Sequence, residues 1–107
     1  MRDKRIVEKM ILYIEKVENY CKGKDEKIFA QDNMLIEACV FNLAQIGELV
    51  VSLSESFKEE NSHIPWYQIK GLRNKIVHDY QGISTVIVWE VIKNDLPILK
   101  KDLEKAL

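Results

Sequence analysis

The stretch from Asp32 to about Phe57 constrains the fold more than any other part of the chain. Placed at 100° per residue, its apolar side chains, Ile36, Cys39, Leu43, Ile46 and Val50 among them, cover more than half of a helical circumference. A helix with one face in water needs a narrower stripe. This helix is therefore expected at the centre of a bundle, packed on its own chain and on something further, such as a second copy. Asp32 is a good N-cap for it. Glu37, Gln45, Glu48 and Ser52 form its polar strip, and Asn42 falls inside the apolar arc, where it is expected to be buried with a partner.

The remaining segments fit around that centre. Val7, Met10, Ile14, Val17 and Cys21 recur at alternating spacings of three and four, which predicts an amphipathic helix from about Asp3 to Cys21. Gly23 ends it, and a charged loop is expected from Lys22 to Lys27. A polar loop from Glu59 to His63 precedes a third helix, from about Trp66 to Tyr80, with Pro65 in its first turn. Gly82 breaks the chain. Ser84 is the candidate cap of a fourth helix to about Lys93, and Pro97 kinks or restarts the chain into a last helix, Leu96 to Ala106. The run Thr85 to Val88 could pass for a strand, but one short run has nothing to pair with. The expected fold class is all-α: an antiparallel bundle of four to five helices in a single domain, 1–107, that forms a homodimer.

Composition limits the function. There are 16 Lys and Arg against 17 Asp and Glu, a net charge of −1. General electrostatic attachment to nucleic acid requires a strongly basic chain, so any RNA binding must use a local patch. Cys21 and Cys39 have neither CxxC nor zinc spacing and read as reduced thiols of a cytoplasmic protein. The charged first ten residues contain no apolar secretion segment. The apolar runs fall well short of the roughly 20 residues of a membrane span, so no membrane partner is expected. His63 and His78 are not at ligand spacing, and neither a metal nor a cofactor is expected.

The local patch is the third helix. From Ile64 to His78 there is no acidic residue, while Lys70, Arg73, Lys75 and His78 are all present. Trp66, Tyr67 and Tyr80 supply aromatic rings that can stack on bases. On a helical wheel Arg73 stands in the middle of the apolar face formed by Ile69, Ile76, Val77 and Tyr80. An arginine there must be paired or look into a polar cleft. Asn74 and His78 lie about one turn apart on the flank. These residue types suit phosphodiester cleavage without a metal. Imidazole, with an ordinary pKa near ~6.5, exchanges a proton at neutral pH, and a guanidinium holds a phosphate through paired N–H donors. Acid and base roles need two groups, and a second His78 from a dimer partner would provide the other. Each residue also has a plainer reading. Arg73 can be a structural arginine paired with Glu48 or Glu37, His78 a packed histidine, and Tyr80, Trp66, Tyr67 and Trp89 packing aromatics. The lysines of the last helix read as a solvated face, and His63 as an exposed loop residue.

The octapeptide RNKIVHDY, Arg73 to Tyr80, reads as R-N-x-x-x-H-x-Y and resembles the signature of HEPN domains of the HepT toxin type. IPWYQIKGLRN upstream, Gln45-Ile46-Gly47-Glu48 on the second helix, and Val88-Trp89 with Asp95-Leu96-Pro97-Ile98-Leu99 downstream resemble further parts of that family. The likeness runs from about residue 3 to 105. It implies an all-α HEPN bundle and metal-independent endoribonuclease activity, with Arg73 and His78 as catalytic pair. Asn74, Lys70 and Lys75 would support RNA binding, and Glu48 would line the cleft or pair with Arg73. It further implies a homodimer whose two motifs meet across a cleft, and a type II or VII toxin–antitoxin pairing with a minimal nucleotidyltransferase. That partner would attach nucleotide groups to the motif tyrosine, here Tyr80. The alternative is a non-catalytic helical dimer that binds a nucleotidyltransferase or a nucleotide.

Overall fold

A computed structural model describes residues 2–71 and 84–107. All regular structure among the described residues is helical. The elements are α1 (Arg2–Cys21), α2 (Glu26–Gln31), α3 (Asn33–Ser52), α4 (Glu55–Glu60), α5 (66–71, where the first described stretch stops), α6 (Thr85–Glu90), a π-helical turn (Val91–Asp95) and α7 (Leu96–Ala106). The expected all-α bundle is what the chain forms.

The centre of the bundle is the packing of α1 on α3. Val7, Met10, Ile14, Val17 and Cys21 are all buried, as their spacing predicts, and Cys39, Leu43, Ile46 and Val50 of α3 meet them in one core. Burying side chains of this size contributes roughly 1.5–3 kcal/mol each. α7 adds Leu96, Leu99 and Leu103 to the same core and packs on α1. Lys100 of α7 reaches Glu15 (3.3 Å) and Glu18 (3.4 Å) of α1 across the seam. Those carboxylates hold the Lys100 ammonium above its ordinary pKa. Asn42 is 4% exposed, and its Nδ2 donates to the Ala38 carbonyl at 2.7 Å, so the one polar side chain in the apolar arc is satisfied within its own helix. α3 is long and apolar enough, by length and composition, to cross a membrane. The expectation that nothing in the chain reaches that size does not hold for it, and its apolar wheel is accounted for by its central place in the core.

Three boundaries differ from the sequence expectation. The segment after Gly23, whose φ of +74° ends α1 in the left-handed region, is not all loop. Asp25 caps a short helix, α2, its Oδ1 accepting from Ile28 N at 2.8 Å. α2 inserts Phe29 fully into the core, 5.1 Å from the Trp89 ring. α3 starts as expected at Asp32, which accepts from Leu35 N at 3.0 Å, but it stops at Ser52 rather than near Phe57. Leu53 turns extended and keeps its side chain in the core, and Ser54 caps a separate helix, α4, through Phe57 N (3.2 Å). Asp3 of α1 fastens this break: its carboxylate accepts from Ser54 N at 2.9 Å and from Ser54 Oγ at 2.6 Å. Those two donors hold the Asp3 carboxyl below its ordinary pKa.

Pro65 stands just before the first helical residue of α5 instead of inside its first turn, and its carbonyl accepts from Ile69 N at 3.1 Å. The last helix runs Leu96–Ala106 as expected, with Pro97 in its first turn. The backbone stays right-handed helical from Glu90 through Leu96, and the turn before the proline widens, with Leu96 N–H reaching the Val91 carbonyl. A proline ring collides with the carbonyl four residues back and offers it no donor. A π turn at that place is the helix's way of accommodating both.

Cys21 and Cys39 are free and buried, as expected. They also face each other, with their sulfurs 3.6 Å apart. The contact with Cys21 and burial push the Cys39 thiol up, while the hydrogen bond with Cys39 holds Cys21 down, with Lys93 and Lys24 adding to it.

Candidate active site

Only one end of the expected site lies within the described residues. Lys70 and Glu48 do; Arg73, Asn74, Lys75, His78 and Tyr80 lie outside them, as does the break expected at Gly82. The Arg73–Glu48 pairing therefore also lies outside. Glu48 is on the exposed side of α3, Lys70 is exposed on α5, and His63 is exposed in the preceding loop, as its plain reading had it.

The start of α5 shows how the fold aims the chain toward the octapeptide. Residues 61–65 connect α4 to α5, and Ile64 N–H bonds the Asn61 carbonyl at 3.0 Å. Ile64 and Ile69 are buried, so two apolar side chains five residues apart pin the helix entry to the core. Trp66 fixes its rotation. Its ring lies 6.1 Å from Phe57 of α4, and its indole Nε1–H is shared by the Lys58 and Asn61 carbonyls, each at 3.2 Å. Those carbonyls lie at the end of α4, so α5 is tied to α4 by a ring contact and a forked hydrogen bond.

Trp66 and Tyr67 share two readings in the sequence, rings for base stacking or plain packing aromatics. The structure separates them. Trp66 is a packing residue with its N–H tied off. Tyr67 is 88% exposed. Trp89, against Phe29 and beneath the Lys93 ammonium at 4.8 Å, is a packing residue as its plain reading had it.

Beside α5 a cavity of about 490 Å³ opens between α3, α5 and α7, lined by Leu43, Ile46, Ile69 and Leu99, with Asp95 and Asp102 also on its wall. Its described lining residues include two carboxylates and no cation. Among the described residues, no three His, Cys, Asp or Glu side chains come together as they would around a metal ion.

The outer face of α3 carries Met34, 83% exposed, and Phe41, 60% exposed. Seven residues apart, they stand on nearly the same line of the helix. At 100° per residue both fall within the strip of Glu37, Gln45, Glu48 and Ser52 and not in the apolar arc, whose residues are mostly buried.

A family model described as ribonuclease HepT-like matches residues 10–106, a span that includes the octapeptide. Similar chains include a provisionally named RNase of Caldanaerobacter subterraneus subsp. tengcongensis, 36% identical over 89% of this chain and 91% of its own length. Another, from Methanocaldococcus jannaschii and also provisionally named an RNase, is 31% identical over 92% of this chain and 84% of its own. A chain of Thermococcus cleftensis with the name probable ribonuclease HepT is 30% identical over 86% of this chain and 84% of its own. No solved structure matches.

Proposed function

The chain belongs to the HepT-like ribonuclease family, and from that premise we propose that it is a metal-independent endoribonuclease toxin whose chemistry rests on Arg73 and His78. The observation that carries this reading is the intact R-N-x-x-x-H-x-Y octapeptide, placed in a stretch from Ile64 to His78 that has no carboxylate to repel a phosphate.

Arg73 binds the scissile phosphate through paired N–H donors and offsets the charge that builds on it. The ribose 2′-oxygen attacks phosphorus as its proton leaves to an imidazole. The P–O5′ bond breaks, and the departing 5′-oxygen takes a proton from a second acid. The products are a 2′,3′-cyclic phosphate and a 5′-hydroxyl. One His78 per chain serves one of these proton transfers, so a second copy of the chain supplies the other. The uncovered apolar side chains of α3, Met34 and Phe41, support a homodimer. Asn74 orients His78 or donates to the phosphate, and Lys70 and Lys75 hold flanking phosphates. A minimal nucleotidyltransferase antitoxin restrains the enzyme by modifying Tyr80, beside the catalytic pair. The buried free thiols suit a cytoplasmic location.

The test is cleavage of a structured RNA by the purified protein in excess EDTA. Wild type cleaves, and Arg73→Ala and His78→Ala each lose most of the activity. Full cleavage by His78→Ala would sink this assignment of the chemistry.

A further inference from the structure

We infer that Tyr67 is a base-stacking platform, which holds an unpaired nucleotide of the RNA next to the scissile phosphate. The inference rests on the ribonuclease reading above and adds to it a residue that binds substrate. Two observations carry it. Tyr67 is 88% exposed, so its ring is not used by the fold, whereas the adjacent Trp66 is committed to Phe57 and to two carbonyls. An exposed ring is available for stacking. Tyr67 also lies in the acid-free stretch, and the exposed Lys70 follows it by three residues, which on a helix puts an ammonium about one turn away. An aromatic face with a cation beside it is the pair that single-stranded RNA requires, one group for the base and one for its phosphate.

Every base has a π face, so such a platform binds with little preference for sequence. It selects unpaired over paired RNA, because a base inside a duplex has both faces covered. A loop or an overhanging end is the class of substrate that fits. Stacking remote from the reacting atoms acts on binding more than on the chemical step.

Two measurements on the full-length protein test this: steady-state cleavage of a single-stranded RNA, and binding of a fluorescein-labelled 2′-O-methyl oligonucleotide, which offers bases and phosphates but no attacking hydroxyl. Tyr67→Ala should raise KM and the oligonucleotide Kd roughly 5- to 100-fold with kcat little changed. Tyr67→Phe, which keeps the ring, should restore both. Thermal melting of both variants should match wild type, since the side chain is exposed. If wild type cleaves RNA and Tyr67→Ala binds the oligonucleotide as wild type does, the platform is wrong and the ribonuclease chemistry stands. If wild type binds the oligonucleotide through Tyr67 yet cleaves no RNA, the chemistry fails and the platform stands. A Tyr67→Ala variant that keeps its RNA affinity but loses a protein partner overturns the inference in favour of a docking role.

Discussion

Trp66→Phe is the substitution that most sharply separates an anchored helix entry from an incidental one. It keeps a ring against Phe57, 6.1 Å away, and deletes the single N–H that the Lys58 and Asn61 carbonyls share at 3.2 Å. One shared donor counts as one hydrogen bond, with a net worth of roughly 0.5–1.5 kcal/mol. The half-buried indole also loses part of its apolar area on becoming phenyl, which adds less than about 1 kcal/mol. The sum is about 1–2 kcal/mol. For a domain of this size it should lower Tm by roughly 5–15 °C. Helix ellipticity followed on heating measures it, with Tyr67→Ala beside it as the control. The control should stay within about 0.5 kcal/mol of wild type, because its side chain is in solvent. A Trp66→Phe protein that melts within a degree of wild type would refute the account of how α5 is held to α4, and with it the account of how the chain is aimed into the octapeptide.

Other expectations follow from the same geometry. Met10→Ala removes a fully buried side chain between α1 and α3 and should cost about 2–5 kcal/mol in denaturant titration, whereas Lys100→Ala, whose ion pairs are partly exposed, should cost less than about 1 kcal/mol. Phe41→Glu, on the uncovered face of α3, should leave the melting of the monomer nearly unchanged and shift the protein from dimer to monomer in light scattering; a dimer that persists at micromolar concentration excludes that face as the interface. Because the Asp3 carboxyl is held below its ordinary value of 3.8 by Ser54, the stability it contributes is fully present above that value and is lost as pH falls through the lowered one. Wild type should therefore begin to lose its advantage over Asp3→Asn as pH falls below about 4 in acid titrations, and an advantage that does not shrink with acid would contradict the assignment.

Much of the fold could be read from the residues because the core is built from long helices. In α1 each apolar residue at the three-four spacing is a buried one, and in α3 the arc that is too wide for a surface helix belongs to the central one. Short-range features escaped. α2 has six residues, too few for periodicity to register, and its cap Asp25 sits in a run of charges. The break between α3 and α4 is hidden because Leu53 continues the apolar pattern, while the group that fastens it, Asp3, is 51 residues away in the sequence. Pro97 reads as a kink or a restart, and nothing in the sequence announces that a wider turn will join the two helices around it. The candidate site was legible as residue types: arginine, asparagine, histidine and tyrosine at fixed spacing in an acid-free stretch. The different roles of Trp66 and Tyr67 could have been drawn from the wheel, where they stand on different faces. The partners that commit Trp66 to packing are backbone carbonyls, which no side-chain pattern reveals.

The central claim is attack by the RNA's own 2′-hydroxyl, assisted by Arg73 and His78 without a metal. The most direct measurement compares an oligoribonucleotide with its counterpart carrying a single 2′-deoxy residue at the cleaved position, both in excess EDTA, with the product ends identified by mass. Cleavage of the first only, giving 2′,3′-cyclic phosphate and 5′-hydroxyl ends, is the predicted result. Cleavage of the deoxy substrate, 5′-phosphate ends, or loss of all activity on chelation would contradict it.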